Sequence, residues 1–154
     1  VDQHIFRVAG MGATGSEPES VAVPGRAVAY AKVDGKWVQE TKTLPWRGTS
    51  AGCGYSTVGD MLKFAEALRA GRLISPESLT LATSPQNNKA WYGYGFMVSG
   101  KGAERQYGHE GGAPGANTSL VVLPEQGYVV IGLSNVDPGV MENVVNFIVH
   151  RLPF

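Results

Sequence analysis

Two β-prone runs, residues 119–123 and Tyr128–Ser134, face each other across the short loop Pro124-Glu125-Gln126-Gly127. A four-residue connection between such runs dictates an antiparallel hairpin. Val129, Ile131 and Leu133 alternate with Val130 and Gly132. This strand is therefore apolar on both faces, as a strand is when it lies centrally or under helices. Directly after it, Val140, Met141, Val144, Val145, Ile148, Val149 and Leu152 recur at helical spacing, with Pro138 near the start. Their wide apolar stripe predicts a C-terminal helix that must cover a sheet. Strands and helices segregated in this way give an α+β fold, an antiparallel sheet with flanking helices.

The rest of the chain supports that architecture. Asp34-Gly35 sits between residues 27–33 and Lys36-Trp37-Val38-Gln39, and Asp-Gly between extended runs is a strong hairpin signal. Thr57 precedes a helical stripe of Val58, Met61, Leu62, Phe64, Ala65 and Leu68, and Asp60 completes a capping pattern. Gly71 stands where a C-terminal cap belongs. Ser75-Pro76-Glu77 opens another helix, which ends before Pro85. Residues 1–26 read as a helix end followed by a loop, and residues 44–54 as irregular. Residues 92–99 alternate glycine with large side chains and predict a strand closely approached by other backbone. Residues 105–109 read as a short extended run leading into a glycine-rich loop.

With 154 residues, 43% of them apolar and 17% charged, the chain has the length and composition of one ordered domain or a large piece of one. Thirteen basic residues balance thirteen acidic ones, so the phosphate-neutralising charge of a nucleic-acid binder is missing. No run of 18 apolar residues occurs. One Cys excludes an internal disulfide. His4, His109 and His150 are dispersed, so no metal or other cofactor is implied. The first residues, Val1-Asp2-Gln3-His4-Ile5-Phe6, contain neither Met nor a signal-like region. They read as if entered in the middle of an element, so the expectation is a processed chain or a portion of something longer.

The densest chemistry lies in Tyr107-Gly108-His109-Glu110-Gly111-Gly112-Ala113-Pro114-Gly115. Glycines let a ligand approach the backbone, and backbone N–H groups can bind an oxyanion. His109 supplies an imidazole, a side chain suited to acid–base and hydrogen-bonding roles. It is either a functional group or a structurally hydrogen-bonded histidine, and spacing does not decide between them. Cys53 could pair with His109 or His4, but nothing orders such a pair, and a free Cys usually packs as a small hydrophobe. Ser56, in Gly54-Tyr55-Ser56-Thr57-Val58, misses the last glycine of a nucleophile elbow. Its place suggests a cap or pre-cap hydroxyl. The Trp91-Tyr92 stretch reads as core or cleft wall.

Taken in order, these segments resemble the C-terminal part of the serine β-lactamase and penicillin-binding-protein family. The likeness is greatest to its class C β-lactamase-like branch, which includes esterases and D-amino-acid peptidases. Val8-Ala9-Gly10-Met11-Gly12-Ala13-Thr14-Gly15 is similar to the family's LGMxxTG. Residues 24–30 are similar to its pgRAvgY, residues 50–61 to its aGGgySTxxDl, and residues 92–96 to its YGyGf. Residues 108–115, with Leu123-Pro124-Glu125 and Leu133-Ser134-Asn135, resemble GHxGGxPG…LPe…lsN. The resemblance covers the whole chain and implies a partial β-lactamase/transpeptidase-like fold.

It also implies an activity: acyl transfer from an ester, amide or β-lactam to a serine, then hydrolysis. The family's nucleophile lies in Ser-x-x-Lys, supported by Tyr-x-Asn or Ser-x-Asn. Neither motif occurs in these 154 residues. What the resemblance does assign here is the Lys-Thr-Gly-type strand, as His109-Glu110-Gly111. His109 would orient or polarise the substrate, and the Gly112 N–H would help bind the oxyanion. Glu110, Gly111 and Ala113 would line the substrate, although Glu110 in place of Thr departs from the recognition of a β-lactam carboxylate. The chain alone is expected to be inactive. The alternative is a non-catalytic binding module derived from the same fold, and an upstream Ser-x-x-Lys in the parent reading frame would favour the enzyme. In the resembled fold, N-terminal strands pair with the last sheet strand. An exposed edge at residues 128–134 is therefore expected to hold a second copy or an N-terminal fragment of the parent. Family members are often exported, which implies a periplasmic or secreted setting.

Overall fold

A computed structural model describes residues 1–18, 20–40 and 47–153. A π-helical turn, Asp2–Phe6, runs into α1 (Arg7–Ala9). The hairpin of β1 (Tyr30–Val33) and β2 (Lys36–Gln39) follows, and then α2 (Val58–Arg69) and α3 (Pro76–Ala82). A four-stranded antiparallel sheet comes next, from β3 (Met97–Ser99), β4 (Gln106–Ala113), β5 (Ala116–Leu123) and β6 (Tyr128–Ser134), in the order β3-β4-β5-β6. The chain closes with α4 (Val140–Val149). The arrangement is the expected α+β fold.

Local chemistry sets most boundaries. Asp34 and Gly35 both have positive φ (49° and 77°), as the two-residue turn between right-twisted strands requires. Thr57 caps α2 by accepting the Asp60 N–H at 3.1 Å. At the other end, Gly71 N–H donates to Leu68 O and Arg72 N–H to Ala67 O, a Schellman cap. The Ser75 hydroxyl oxygen accepts from Ser78 N–H at the start of α3.

The sheet lies between two helices. Val98, Tyr107, Leu120 and Val122 meet Ala65, Met61 and Phe64 of α2. On the opposite face, Leu123 and Val130 meet Val145 and Val149 of α4. A Cβ on Gly132 would lie 2.9 Å from Met141 Sδ and 3.1 Å from Val145 Cγ2, so the missing side chain lets α4 come close. β6 is thus covered by helices on both faces, yet it forms the sheet edge. The β1–β2 hairpin is a separate sheet. It touches the end of β6 through Tyr30 N–H to Asn135 O and Asn135 Nδ2 to Val28 O. Val140, Val144, Phe147 and Ile148 leave an exposed apolar stripe on α4.

Several expected boundaries move. The strand expected over residues 92–99 shrinks to Met97–Ser99, with only a bridge from Tyr92 to Met97. Residues 93–96 turn instead, because Gly93 N–H donates to Phe96 O and Tyr94 N–H to Ala82 O. The close approach read from the glycines is nevertheless real. A Cβ on Gly93 would collide with the Ala82 carbonyl oxygen. The extended run at residues 105–109 continues to Ala113, so the glycine-rich segment is strand and only Pro114-Gly115 turns. β5 correspondingly starts at Ala116, and β1 starts at Tyr30. Of residues 44–54, positions 44–46 lie outside the described residues.

The early loop is pinned to α2 by one buried carboxylate. Asp60 is 2% exposed. It accepts from Ala13 N–H at 2.7 Å, from the Thr14 hydroxyl at 2.9 Å and from Lys63 Nζ at 2.7 Å. Lys63 also donates to Gly10 O. The Lys63 bond first, then the Ala13 and Thr14 donors, hold the Asp60 carboxyl below its usual range against the opposing effect of burial. Asp60→Ala is expected to cost about 3 kcal/mol at pH 7, the low end for a broken buried pair because Lys63 is half exposed. The folded value lies below the unfolded one of about 3.9. The contribution is therefore complete above that pH and is lost as pH falls through the folded value. Urea unfolding of both proteins at pH 7 and pH 3 checks this, and the gap between them should narrow at pH 3.

Candidate active site

β4 pairs with β5 from Tyr107↔Val122 to Ala113↔Ala116. On its other side β3 reaches only Gly108. Past that point, no strand of the described residues lies alongside His109–Ala113, and this edge of the sheet is open. The turn at its end needs glycine twice. Gly115 has φ +76°, and a Cβ there would sit 2.8 Å from Ala29 Cβ. Gly115 N–H donates to Asp137 Oδ1 at 3.0 Å, while Asp137 Oδ2 accepts Lys32 N–H at 2.6 Å. One aspartate thus fastens both the sheet turn and the β1–β2 hairpin.

Register decides which backbone groups face the open edge. In a two-residue turn the flanking residues, Ala113 and Ala116, form a hydrogen-bonded pair. Opposed pairs then alternate. Gly112 opposite Asn117, and Glu110 opposite Ser119, fall on the non-bonded pairs. The N–H and C=O groups of Gly112 and Glu110 therefore point away from β5, into the open edge. The carbonyl of Glu110 is already in use there, accepting from His109 Nδ1 at 2.6 Å.

A carbonyl only accepts, so Nδ1 carries the proton and neutral His109 presents a lone pair at Nε2. That lone pair meets Tyr92 Oη at 2.9 Å, with the two rings edge to face at 5.7 Å. His109 is exposed, so it is a hydrogen-bonded histidine that also faces solvent. Glu110, Gly111 and Gly112 are exposed beside it, and Ala113 is half-buried. A Cβ on Gly111 would find only Thr118 Oγ1, at 3.9 Å. One on Gly112 would lie 2.5 Å from Pro138 Cγ, so that position is closed to any side chain unless Pro138 moves.

Behind this strand sits Asn117, fully buried at 0% exposure. Its Nδ2 donates to Gly111 O at 3.1 Å and to Glu142 Oε1 at 2.7 Å. Its Oδ1 accepts Met141 N–H at 2.7 Å. Glu142 Oε2 in turn accepts Gly139 N–H at 3.0 Å, capping α4. Burial works against the charge on Glu142, but the Asn117 amide and the backbone N–H groups outweigh it and hold this carboxyl below its usual range.

The structure therefore brings His109, Glu110, Gly111, Gly112 and Ala113 onto one open edge. It adds Tyr92 and Asn117, which the sequence did not single out for these roles. Ser56 is occupied elsewhere, with its hydroxyl 2.8 Å from that of Thr14. Cys53 is exposed in a loop. His150 sits at the end of α4 against Asn146 O. Among the described residues no group of three or more metal-ligating side chains forms.

The Beta-lactamase family model matches residues 1–152. The chain belongs to the Beta-lactamase family. It is 30% identical over 154 residues to the Bacillus subtilis protein named "Putative penicillin-binding protein PbpX", covering 99% of this chain and 38% of that protein. The fold matches a penicillin-binding protein from Bacillus halodurans with a TM-score of 0.86 at 23% identity, covering 97% of this chain and 47% of the other. It matches the D-amino acid amidase of Ochrobactrum anthropi with a TM-score of 0.72 at 23% identity, covering 96% and 48%. The chain thus spans less than half the length of these relatives. The family and the fold expected from the motifs both hold.

Proposed function

We propose that this chain supplies the substrate-binding strand of a serine hydrolase that transfers the acyl group of an ester, amide or β-lactam to a serine and then to water. The observation that carries this reading is the open edge of β4, where the Gly112 N–H faces outward beside His109. Attack on a carbonyl places negative charge on its oxygen, and a preorganised backbone N–H stabilises that charge. An extended substrate can lie along His109–Ala113 as an added strand. Tyr92 holds His109 toward that edge. Family membership and the amidase-like fold support the reaction class.

The nucleophile and its base must come from a Ser-x-x-Lys and a Tyr-x-Asn or Ser-x-Asn, which these 154 residues lack. The chain by itself is inactive in this reading, because no acyl-enzyme can form. A chromogenic β-lactam and a p-nitrophenyl ester should give neither burst nor turnover, and a serine-directed probe should leave its mass unchanged. In a longer protein that includes the missing motifs, His109→Ala should lower kcat/KM on the order of 10²–10³-fold while the melting temperature barely moves. A lowered melting temperature with unchanged activity per folded molecule would make His109 structural.

We also infer that the unpaired edge of β6 and the apolar stripe of α4 are covered together, by a strand and helix of the kind that the extra length of the relatives can supply. α4 packs against β6 itself, and β6 carries no charge or Pro to protect its edge. Light scattering coupled to size-exclusion chromatography should show concentration-dependent association of the isolated chain. A concentration-independent monomer with slowly exchanging amides along residues 128–134 would contradict an open edge.

A further inference from the structure

At the other end of β4 from Gly112, about 16 Å away at the rise of a strand, lies a concavity of ≈260 Å³. Its lining includes Arg69 from the end of α2, Leu79 from α3, Thr83 just beyond α3, Arg105, Tyr107 and Pro124. Three observations mark it as more than a packing gap. Tyr107 is 3% exposed, and its buried hydroxyl has no hydrogen-bond partner, although buried polar groups are normally satisfied. Neither guanidinium meets a carboxylate among the described residues. Arg105 Nη2 donates to Thr83 Oγ1 at 2.8 Å and lies over the Tyr107 ring, 5.8 Å from its centre. Arg69 Nη1 reaches only Gly127 O, at 3.3 Å. Both arginines also lie within electrostatic reach of the Tyr107 hydroxyl. Burial pushes that hydroxyl above its usual range, and the two positive charges offset this only in part. It therefore stays protonated, as a donor.

The walls add a second character. Leu79 and Pro124 are apolar and partly buried. Two planar forks fit an oxyanion, and the apolar walls fit a short hydrocarbon body. The volume lies just under that of typical small-ligand sites. We propose that this concavity binds a small organic carboxylate, its charge between Arg69 and Arg105 and its apolar part against Leu79 and Pro124. The site is separate from the open edge of β4 and does not depend on the hydrolase reading.

The test is a titration of the ¹⁵N-labelled 154-residue chain with sodium benzoate, and separately with inorganic phosphate, at constant ionic strength. Benzoate should give saturable amide shifts at Thr83, Arg105, Tyr107 and Gly127. Phosphate, which lacks the apolar body, should bind at least tenfold more weakly. Arg105→Gln should weaken benzoate binding at least tenfold. If Arg105→Gln loses its fold with its Thr83 contact, Arg69→Gln provides the same comparison, since it gives up only one exposed carbonyl contact. Non-saturating shifts, equal binding of phosphate and benzoate, or unchanged affinity in folded arginine variants would each overturn the proposal.

Discussion

One buried amide holds the functional end of this protein together. The Asn117 side chain spends its donors on Gly111 O and Glu142, and its acceptor on Met141 N–H. Three elements, β4, β5 and α4, are thereby tied at a point without water. A buried polar network of this kind is costly when partly satisfied and rigid when complete. Here it fixes the carbonyl immediately before Gly112. The direction of the Gly112 N–H follows from that and from the register of the Pro114-Gly115 turn. An oxyanion donor must be in place before charge develops, and this network supplies the rigidity.

The second support lies away from the open edge. Asp60 gathers Ala13, Thr14 and Lys63 into one cluster that secures the loop after α1 to the start of α2. The Thr14 and Ser56 hydroxyls meet there too. The segment that resembles a nucleophile elbow is therefore a clamp, and the serine it contains is committed to structure. Glycine plays a parallel part wherever backbones or helices must come close, as at Gly132 under α4 and Gly112 against Pro138.

Features governed by neighbouring residues were legible in the sequence. The Asp34-Gly35 turn, the Thr57 and Ser75 caps and the Gly71 terminus all depend on side chains within a few positions, and all stand as expected. The ordered motifs disclosed the family and assigned His109-Glu110-Gly111 to its substrate strand. What long-range register decides was hidden. Tyr92 reaches His109 only because β3 pairs with β4 opposite Gly108. Glycines at 93 and 95 imitate an alternating strand while the chain actually turns. Asn117 is a polar residue in a β-prone stretch, and its role needs α4 folded over it, which no local pattern encodes. The exposed glycines at 111 and 112 suggested a loop, yet they extend the strand because β5 pairs with them.

Asn117 couples the strand edge to the helix cap. The most direct measurement compares backbone amide resonances of the folded Asn117→Ala protein with those of the original. If the amide is the tie, large shifts will appear at Gly111, Gly112 and Ala113, and at residues 139–142, beyond the neighbours of position 117 on β5. If those two segments keep their resonances and only the immediate surroundings of position 117 on β5 respond, the strand edge is set by something other than Asn117.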